Sequence, residues 1–241
     1  QKSDFALGAF PVRLNTALYY TEYEDKQVSA PDAFVDPQEP SPIPKLGQAN
    51  FNVADAWVAG VELDLTVLLS DKLTLVGSYA YTDAEYDKFS FVYDGATPQR
   101  DCTGEDIESG NTVELSCVPF PTVPENQYSL SLRYTLPMGP DLGDVQASIS
   151  YAWVDEQYSS YASVPDAEPG AWLPDYDLIN ASISWGQVMG SNFSLQLYGS
   201  NLANNKYRVS NSNQWNLTYM QSVMYSEPRK LGLEVSYDFQ P

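Results

Sequence analysis

Apolar and polar residues alternate along eight stretches of this chain. In the closing stretch, KLGLEVSYDF, Leu231, Leu233 and Val235 alternate with Gly232 and Glu234. A period of two residues is that of a β-strand with one apolar face and one polar face. The sequence predicts an all-β protein without an amphipathic helix. The eight predicted strands lie near residues 10–25, 56–69, 73–87, 126–137, 144–158, 176–187, 192–208 and 226–239.

The connections between the predicted strands alternate in length. Short turns follow the second, fourth and sixth strands, and long polar segments follow the first, third, fifth and seventh. Short turns on one side and long loops on the other are typical of antiparallel transmembrane β-barrels, whereas soluble sandwiches have more uniform turns. We therefore expect four extracellular loops, near residues 26–53, 88–125, 159–175 and 209–225.

The polar faces of the predicted strands indicate which side of the barrel faces lipid. They carry Ser, Thr, Asn, Gln, Ala and Gly, with few charged residues. The outer face of a soluble barrel would carry far more Lys and Glu, so the apolar face is predicted to point outward into lipid. Aromatic residues near the strand ends fit interfacial girdles. They are Tyr19, Tyr20, Tyr23, Tyr79, Tyr81, Tyr134, Tyr151, Trp153 and Trp185.

Composition removes several classes of function. The net charge is −20 with only 12 Lys and Arg, so the surface repels nucleic acid. The absence of His removes the usual general base, the Ser-His-Asp arrangement and the commonest metal ligand. We therefore predict that the chain is not an enzyme and that it needs no cofactor or metal.

Two cysteines lie in a polar, turn-rich segment. Cys102 and Cys117 would close a short exposed loop, which favours a disulfide and an oxidising compartment over two free thiols. The neighbouring stretch DCTGEDIESG is acidic, but it lacks the ligand spacing of a known calcium loop. We expect its carboxylates to be solvated.

The small residues of the polar faces bear on the size of the barrel. Eight strands could close alone, but an eight-stranded barrel is filled by its own inward side chains. Ser, Ala, Thr and Gly would leave voids there, which favours a wider barrel with other matter inside. A small barrel that acts alone as an anchor, an adhesin or a passive pore stays open as the alternative.

Three segments resemble TonB-dependent outer-membrane receptors. YSEPRKLGLEVSYDF is similar to the closing segment of that family, and FSLQLYGSNLANNKYRVS to its penultimate hairpin, through Asn201, Leu202, Asn204 and Tyr207. AGVELDLTVLLSDKLTLVGSYAYTDAEYD resembles earlier strands of the same barrel. The resemblance implies a 22-stranded barrel around an N-terminal plug, of which residues 1–241 form about the C-terminal third. Residues 1–4 would then be the tail of a preceding strand and its turn.

The resemblance also implies a function, a location and partners. The expected function is TonB-energised uptake of a scarce nutrient, with a ferric siderophore or similar iron complex as the foremost cargo, in the outer membrane of a Gram-negative bacterium. Expected partners are outer-membrane lipid, the plug and remaining strands, TonB through the plug, and the barrel-assembly machinery. That machinery would read a C-terminal signal, which Gln240 and Pro241 follow here. The signal residues would be Leu233, Val235, Tyr237 and Phe239.

Loop aromatics and a lumen-facing cation are the candidates for contact with the cargo. The competing explanation for the aromatics is girdle anchoring or loop packing, and for the charge it is plug contact or lumen solvation. The candidate residues are Tyr158, Tyr161, Trp172, Trp215, Tyr219 and Arg133.

Overall fold

The computed structural model describes residues 2–34, 45–93, 99–159, 164–165, 167, 169–214 and 220–239. Within these ranges the secondary structure is antiparallel β, apart from two 3₁₀ turns at Pro140–Leu142 and Val188–Gly190. None of the helical residues described is part of a helix long and apolar enough to cross a membrane. The strands are β1 (Lys2–Leu7), β2 (Phe10–Phe34), β3 (Lys45–Ser70), β4 (Leu73–Val92), β5 (Gln99–Arg100), β6 (Asp106–Ile107), β7 (Thr112–Glu114), β8 (Asn126–Leu136), β9 (Asp144–Val154), β10 (Gln157–Tyr158), β11 (Trp172–Leu173), β12 (Tyr176–Gly186), β13 (Phe193–Ser200), β14 (Arg208–Gln214), β15 (Met220–Tyr225) and β16 (Lys230–Tyr237).

Nine long strands form one antiparallel sheet, in the order β1-β2-β3-β4-β8-β9-β12-β13-β16, and β7 adds to the end of β4. Strand β1 is additional to the eight predicted strands. It contains most of the predicted strand tail at residues 1–4 and continues to Leu7. The turn that follows lies at Gly8, whose φ of 63° is one that glycine adopts readily. In the part of the chain described, β1 pairs only with β2, and β16 only with β13. The sheet is therefore open, with two free edges.

The strand register keeps each kind of side chain on one side of the sheet. An apolar row crosses all nine strands without a break, through Phe5, Val12, Val67, Leu75, Leu132, Ile149, Ala181, Gly199 and Leu231. A polar row on the other side runs through Thr74, Arg133, Ser148, Ser182, Tyr198 and Gly232. Many apolar side chains of this face are exposed in this chain, with Leu18 at 77% and Leu231 at 73%, whereas Val12 and Val67 are buried.

Aromatic residues border the apolar face at both of its ends. Tyr128 packs against Trp153 at the end with the long connections, with ring centroids 5.5 Å apart. Phe193 packs against Tyr237 at the short-turn end, with centroids 4.8 Å apart. Tyr19 and Tyr23 depart from the predicted girdle, because their partners in the register, Gly60 and Ala56, lie on the polar face. A Cβ at Gly60 would lie 2.3 Å from the Tyr19 hydroxyl oxygen, so the ring covers the glycine.

Strands β2, β3 and β4 are much longer than their sequence pattern predicted. They contain 25, 26 and 20 residues, so most of the predicted loop at 26–53 is strand, as are residues 88–92. The prediction failed because the alternation of apolar and polar residues fades where the strands stop facing lipid. The predicted strand at 192–208 is also shorter in the structure, since β13 ends at Ser200. The predicted loop at 209–225 contains most of the β14–β15 hairpin.

Three register shifts lie close together on this long ribbon. One falls in β2 between Tyr23 and Lys26, where Asp25 has a φ of 52°, a second follows between Lys26 and Gln27 in the pairing with β3, and a third places an extra residue, Asp87, in β4. An extra residue in one strand shifts the following side chains to the other face. Beyond the bulge Val28 therefore points to the same side as Ala54 and is 3% exposed.

The buried hydrophobic core lies among the long connections, beyond these bulges. It packs the ribbon against segment 99–120 and against the described residues among 158–173, and Phe89, Val113 and Leu115 are each 0% exposed. Tyr86 stacks on Phe120 with ring centroids 4.8 Å apart. The predicted loop at 88–125 is therefore largely a folded unit. We call the core residues together with these two segments the loop core.

Candidate functional site

The polar face of the sheet is a surface of short hydrogen-bonded side chains. Hydroxyl pairs join neighbouring strands, with 2.7 Å between the oxygens of Ser78 and Ser129 and 2.9 Å between those of Ser148 and Ser182. The face can therefore contact water or another polar surface closely.

Arg133 lies on this polar face, between Thr74 and Ser148 in the register. It is exposed, and so its guanidinium can reach matter on the polar side of the sheet. Arg13 lies on the same side and donates to the Asp4 carboxylate at 2.9 Å. Arg133 is thus oriented toward the polar side, as the sequence predicted.

A cavity of about 240 Å³ opens where the sheet meets the loop core. We call it the rim cavity. Strand β4 contributes residues 82–84 to its lining, and the segment after Cys117 contributes Pro119, Phe120 and Val123. Its lining includes the carboxylates Asp83, Glu125, Asp155 and Glu156 and the aromatic rings of Phe120 and Trp172.

The two described aromatic candidates occupy different positions at this cavity. Trp172 is 37% exposed, so part of its indole can contact a molecule in the cavity. Tyr158 is 1% exposed and meets Trp172 edge to face, with centroids 5.3 Å apart. The Tyr158 ring thus packs in the loop core and supports the tryptophan. Tyr161, Trp215 and Tyr219 lie outside the described residues.

The β14–β15 hairpin holds the segment that carries Trp172. Arg208 donates from its two terminal nitrogens to the carbonyl oxygens of Gly170 and Trp172, at 3.1 and 2.5 Å. Asn211 donates to the same Gly170 oxygen at 2.9 Å. Sequence reasoning missed this role of Arg208, because a cation that binds backbone carbonyls far along the chain leaves no local pattern.

The predicted disulfide between Cys102 and Cys117 is present, with Cα atoms 5.7 Å apart. Beside it, Asp101 is 7% exposed. Its Oδ1 accepts hydrogen bonds from the Thr103 hydroxyl at 2.6 Å and from the Thr103 N–H at 2.8 Å. The hydroxyl bond to the charged form is the main reason that the pKa of Asp101 lies below its ordinary value. The acidic loop is therefore ordered around a structural carboxylate.

Lys26 is a half-buried cation that the sequence did not single out. Its Nζ lies 4.7 Å from the centre of the Phe120 ring and 5.6 Å from that of Tyr86. Burial lowers the pKa of the Lys26 amine. Among the residues that the structure describes, no group of three or more His, Cys, Asp or Glu is placed to hold a metal ion.

The predicted C-terminal signal lies on the apolar face of β16. Leu233 and Val235 are 67% and 59% exposed, and Tyr237 contacts both Phe193 and Phe239. The described residues end at 239, so Gln240 and Pro241 lie outside them. Recognition of this stretch by the assembly machinery stays a prediction.

A family model decides the identity of this open sheet. The model of the TonB-dependent receptor-like β-barrel matches residues 6–202. The chain belongs to the TonB-dependent receptor family. The exposed apolar face is accordingly the lipid-facing face of a partial transmembrane barrel, and the polar face lines its lumen. No curated protein has a sequence that matches this chain significantly.

Solved receptor structures share the fold at low sequence identity. The siderophore receptor PiuA from Acinetobacter baumannii is 21% identical, with a TM-score of 0.57, over 93% of this chain and 25% of its own. The ferric yersiniabactin uptake receptor FyuA from Yersinia pestis is 15% identical, with a TM-score of 0.57, over 98% of this chain and 36% of its own. The copper transporter OprC is 13% identical, with a TM-score of 0.60, over 98% of this chain and 30% of its own. The chain thus spans about a quarter to a third of the length of these proteins.

Proposed function

We propose that this chain is part of an outer-membrane receptor that imports a scarce nutrient with energy supplied through TonB. The observation that carries the proposal is the nine-strand sheet, whose apolar and polar faces stay separate across every strand and whose family is that of TonB-dependent receptors. In this proposal the chain supplies barrel wall and long extracellular connections in a Gram-negative outer membrane. The plug, the remaining strands, TonB and the barrel-assembly machinery are the proposed partners.

The two free edges of the sheet favour this proposal over a small barrel that stands alone. Unpaired backbone N–H and C=O groups at a sheet edge cost several kcal/mol each in lipid, so a membrane sheet must close. β1 and β16 do not pair with each other in the described residues. Further strands between these edges would satisfy both of them, and a wider barrel would leave room for a plug against the hydroxyl-rich polar face.

We propose Trp172 and Arg133 as residues that contact the cargo or the plug. Trp172 offers a partly exposed indole at the rim cavity, and Arg133 offers a cation on the luminal face. We do not extend the proposal to Tyr158, because its side chain is buried. Tyr161, Trp215 and Tyr219 keep their proposed role on the grounds of sequence alone.

A ferric siderophore or a similar iron complex is the cargo that we propose. PiuA, which this chain resembles in fold, is a siderophore receptor, and FyuA, which has a similar fold, is a ferric yersiniabactin uptake receptor. A copper transporter has the same fold, and so the fold by itself is compatible with more than one kind of cargo. The experiment must therefore compare several cargoes.

Uptake of labelled cargo by whole cells tests the proposal. Cells that express the full-length receptor under metal limitation are offered a panel of ⁵⁵Fe-siderophores and copper, with a receptor deletion and a TonB deletion in parallel. We expect uptake of one ferric siderophore to require both genes. Uptake that persists without TonB, or a panel on which the receptor deletion has no effect, would refute the proposal.

A matched pair of tryptophan variants tests the rim cavity separately. Trp172→Ala should weaken cargo binding, whereas Trp185→Ala removes the same side chain from the lipid-facing surface at the short-turn end and should leave binding unchanged. Loss of one aromatic stacking partner costs about 0.5–1.5 kcal/mol of binding free energy, which corresponds to roughly a two- to tenfold rise in Kd. Equal Kd values for Trp172→Ala and wild type would remove Trp172 from the proposed contact surface.

A further inference from the structure

The turn at residues 201–207, which we call the Asn201 turn, contacts residues 226–229, the segment that leads into the last strand, β16. Asn201 is 5% exposed and has a φ of 48°, a conformation that asparagine tolerates. Its Nδ2 donates to the carbonyl oxygens of Asn205 at 2.9 Å and Glu227 at 3.0 Å. Its Oδ1 accepts from the N–H of Asn205 at 2.9 Å. One buried amide therefore shapes the turn and binds it to the segment that leads into β16.

Two further contacts fix the same short segment, 226–229. The N–H of Arg229 donates to Oδ1 of Asn204 at 3.0 Å. The N–H of Ser226 donates to the carbonyl oxygen of Tyr207 at 2.9 Å. β16 begins at the next residue, Lys230, so these contacts set the position at which the last strand starts.

The Asn201 turn is itself anchored to β12. Asn205 donates from Nδ2 to the Asp177 carboxylate at 2.7 Å and to the Asp177 carbonyl oxygen at 3.1 Å. The rings of Tyr176 and Tyr207 stack with centroids 3.9 Å apart and an interplanar angle of 3°. These contacts thus fix the position at which β16 starts relative to two neighbouring strands of the barrel wall, β12 and β13.

The hydrophobic pattern cannot specify the register of β16 by itself. Side chains alternate with a period of two, so a slip of two residues keeps every apolar residue outward and every polar residue inward. Leu233 opposes Leu197 in the structure, but Leu231 or Val235 would satisfy the same face. The long connection from 201 to 229 adds no constraint of the kind that a two-residue turn imposes.

One luminal contact does distinguish the registers. The Tyr198 ring lies over Gly232, where a Cβ would come within 2.3 Å of the ring. A slip of two residues would place Lys230 or Glu234 opposite Tyr198 instead. This contact favours the observed register, but it constrains the strand at one position only.

We propose that the Asn201 turn is a register clamp, which selects the observed pairing of β13 with β16 from the two-residue slips that the pattern allows. The clamp acts from the loop end of the strand, opposite the end that carries Phe239. Because it concerns the strand pairing alone, the proposal does not depend on which cargo the receptor takes.

Disulfide trapping of the register in the full-length receptor tests the proposal. Cysteines at Leu197 and Leu233 face each other directly in the observed register and lie within disulfide reach, whereas a cysteine at Leu197 pairs with one at Leu231 or at Val235 only after a slip. The test variant is Asn201→Gly, which removes the amide and keeps a residue suited to positive φ. The control is Asn192→Gly in the exposed short turn between β12 and β13.

We expect at least one of the two slipped cysteine pairs to cross-link in the Asn201→Gly protein, and neither of them in wild type or Asn192→Gly. Loss of one buried hydrogen-bonded amide should raise the slipped fraction roughly tenfold. Cross-linking confined to the Leu197–Leu233 pair, at the wild-type yield, would overturn the proposal.

A second measurement covers the case in which Asn201→Gly fails to assemble. A disulfide between cysteines at Leu197 and Leu233 then supplies the register that the clamp no longer selects, and it should restore assembly. A disulfide between cysteines at Ile183 and Leu197 joins β12 to β13 instead, and so it adds a cross-link without fixing β16. Rescue by the first pair alone supports the clamp, whereas rescue by both pairs or by neither contradicts it.

Discussion

Arginine at Leu132 tests the assignment of the lipid-facing side most directly. Leu132 lies between Leu75 and Ile149 in the apolar row, and on β8 it sits between Tyr128 and Tyr134, which belong to the two aromatic borders. This position places it near the middle of the bilayer. A cation there costs about 2–4 kcal/mol, which corresponds to roughly a 30- to 1,000-fold shift in the folding equilibrium.

The adjacent residue provides the matched control. Ser131 lies on the luminal face of the same strand, between Val76 and Ser150, so an arginine there can reach water. We expect Leu132→Arg to lower the assembled fraction in a heat-modifiability gel of outer membranes, and Ser131→Arg to assemble like wild type. Equal assembly of the two variants, or a greater loss for Ser131→Arg, would refute the inside-outside assignment.

Three further predictions concern the loop core. Replacing Cys102 and Cys117 by serine should destabilise it by about 3 kcal/mol, as expected for a closed loop of this length, and limited proteolysis should cleave it faster while the barrel stays intact. Phe89→Ala, at a side chain that is 0% exposed, should cost about 3–5 kcal/mol in the same assay, and unchanged cleavage would contradict the core assignment. The Asp101 carboxylate should stabilise the loop fully above its ordinary pKa of 3.8 and lose this effect as the pH falls through its lower folded-state pKa, so Asp101→Asn should flatten the acid dependence of proteolysis.

The sequence predicted the wall well because a two-residue period is a direct consequence of a sheet between lipid and a polar lumen. The residues of the apolar row could be read in this way, and the Cys102–Cys117 pair could be read from its polar, turn-rich segment. The ribbon beyond Asp25 could not, since its strands face water on one side and the loop core on the other, which blurs the alternation. Tyr19 was misassigned because a ring that covers a glycine on the neighbouring strand has no signature in its own strand.

The candidate site was predicted less well than the wall. Loop aromatics such as Tyr158 and Trp172 look alike in sequence, yet one is buried and the other is partly exposed. Their difference arises from contacts between segments that lie far apart along the chain, as in the case of Arg208 and Gly170. The Asn201 turn shows the same limit, because its motif was visible while the strands that it joins were not.

The bulges at Asp25 and Asp87 divide one continuous sheet into two parts whose apolar side chains are covered by different surroundings. On one side of the bulges the apolar side chains point outward and are covered by lipid acyl chains. On the other side they point inward and are buried in the loop core. Heating in detergent should therefore produce two melting transitions. The midpoint of the transition of the lipid-facing sheet should change with the length of the detergent's alkyl chain. The midpoint of the transition of the loop core should fall in thiol reductant and should not depend on the detergent.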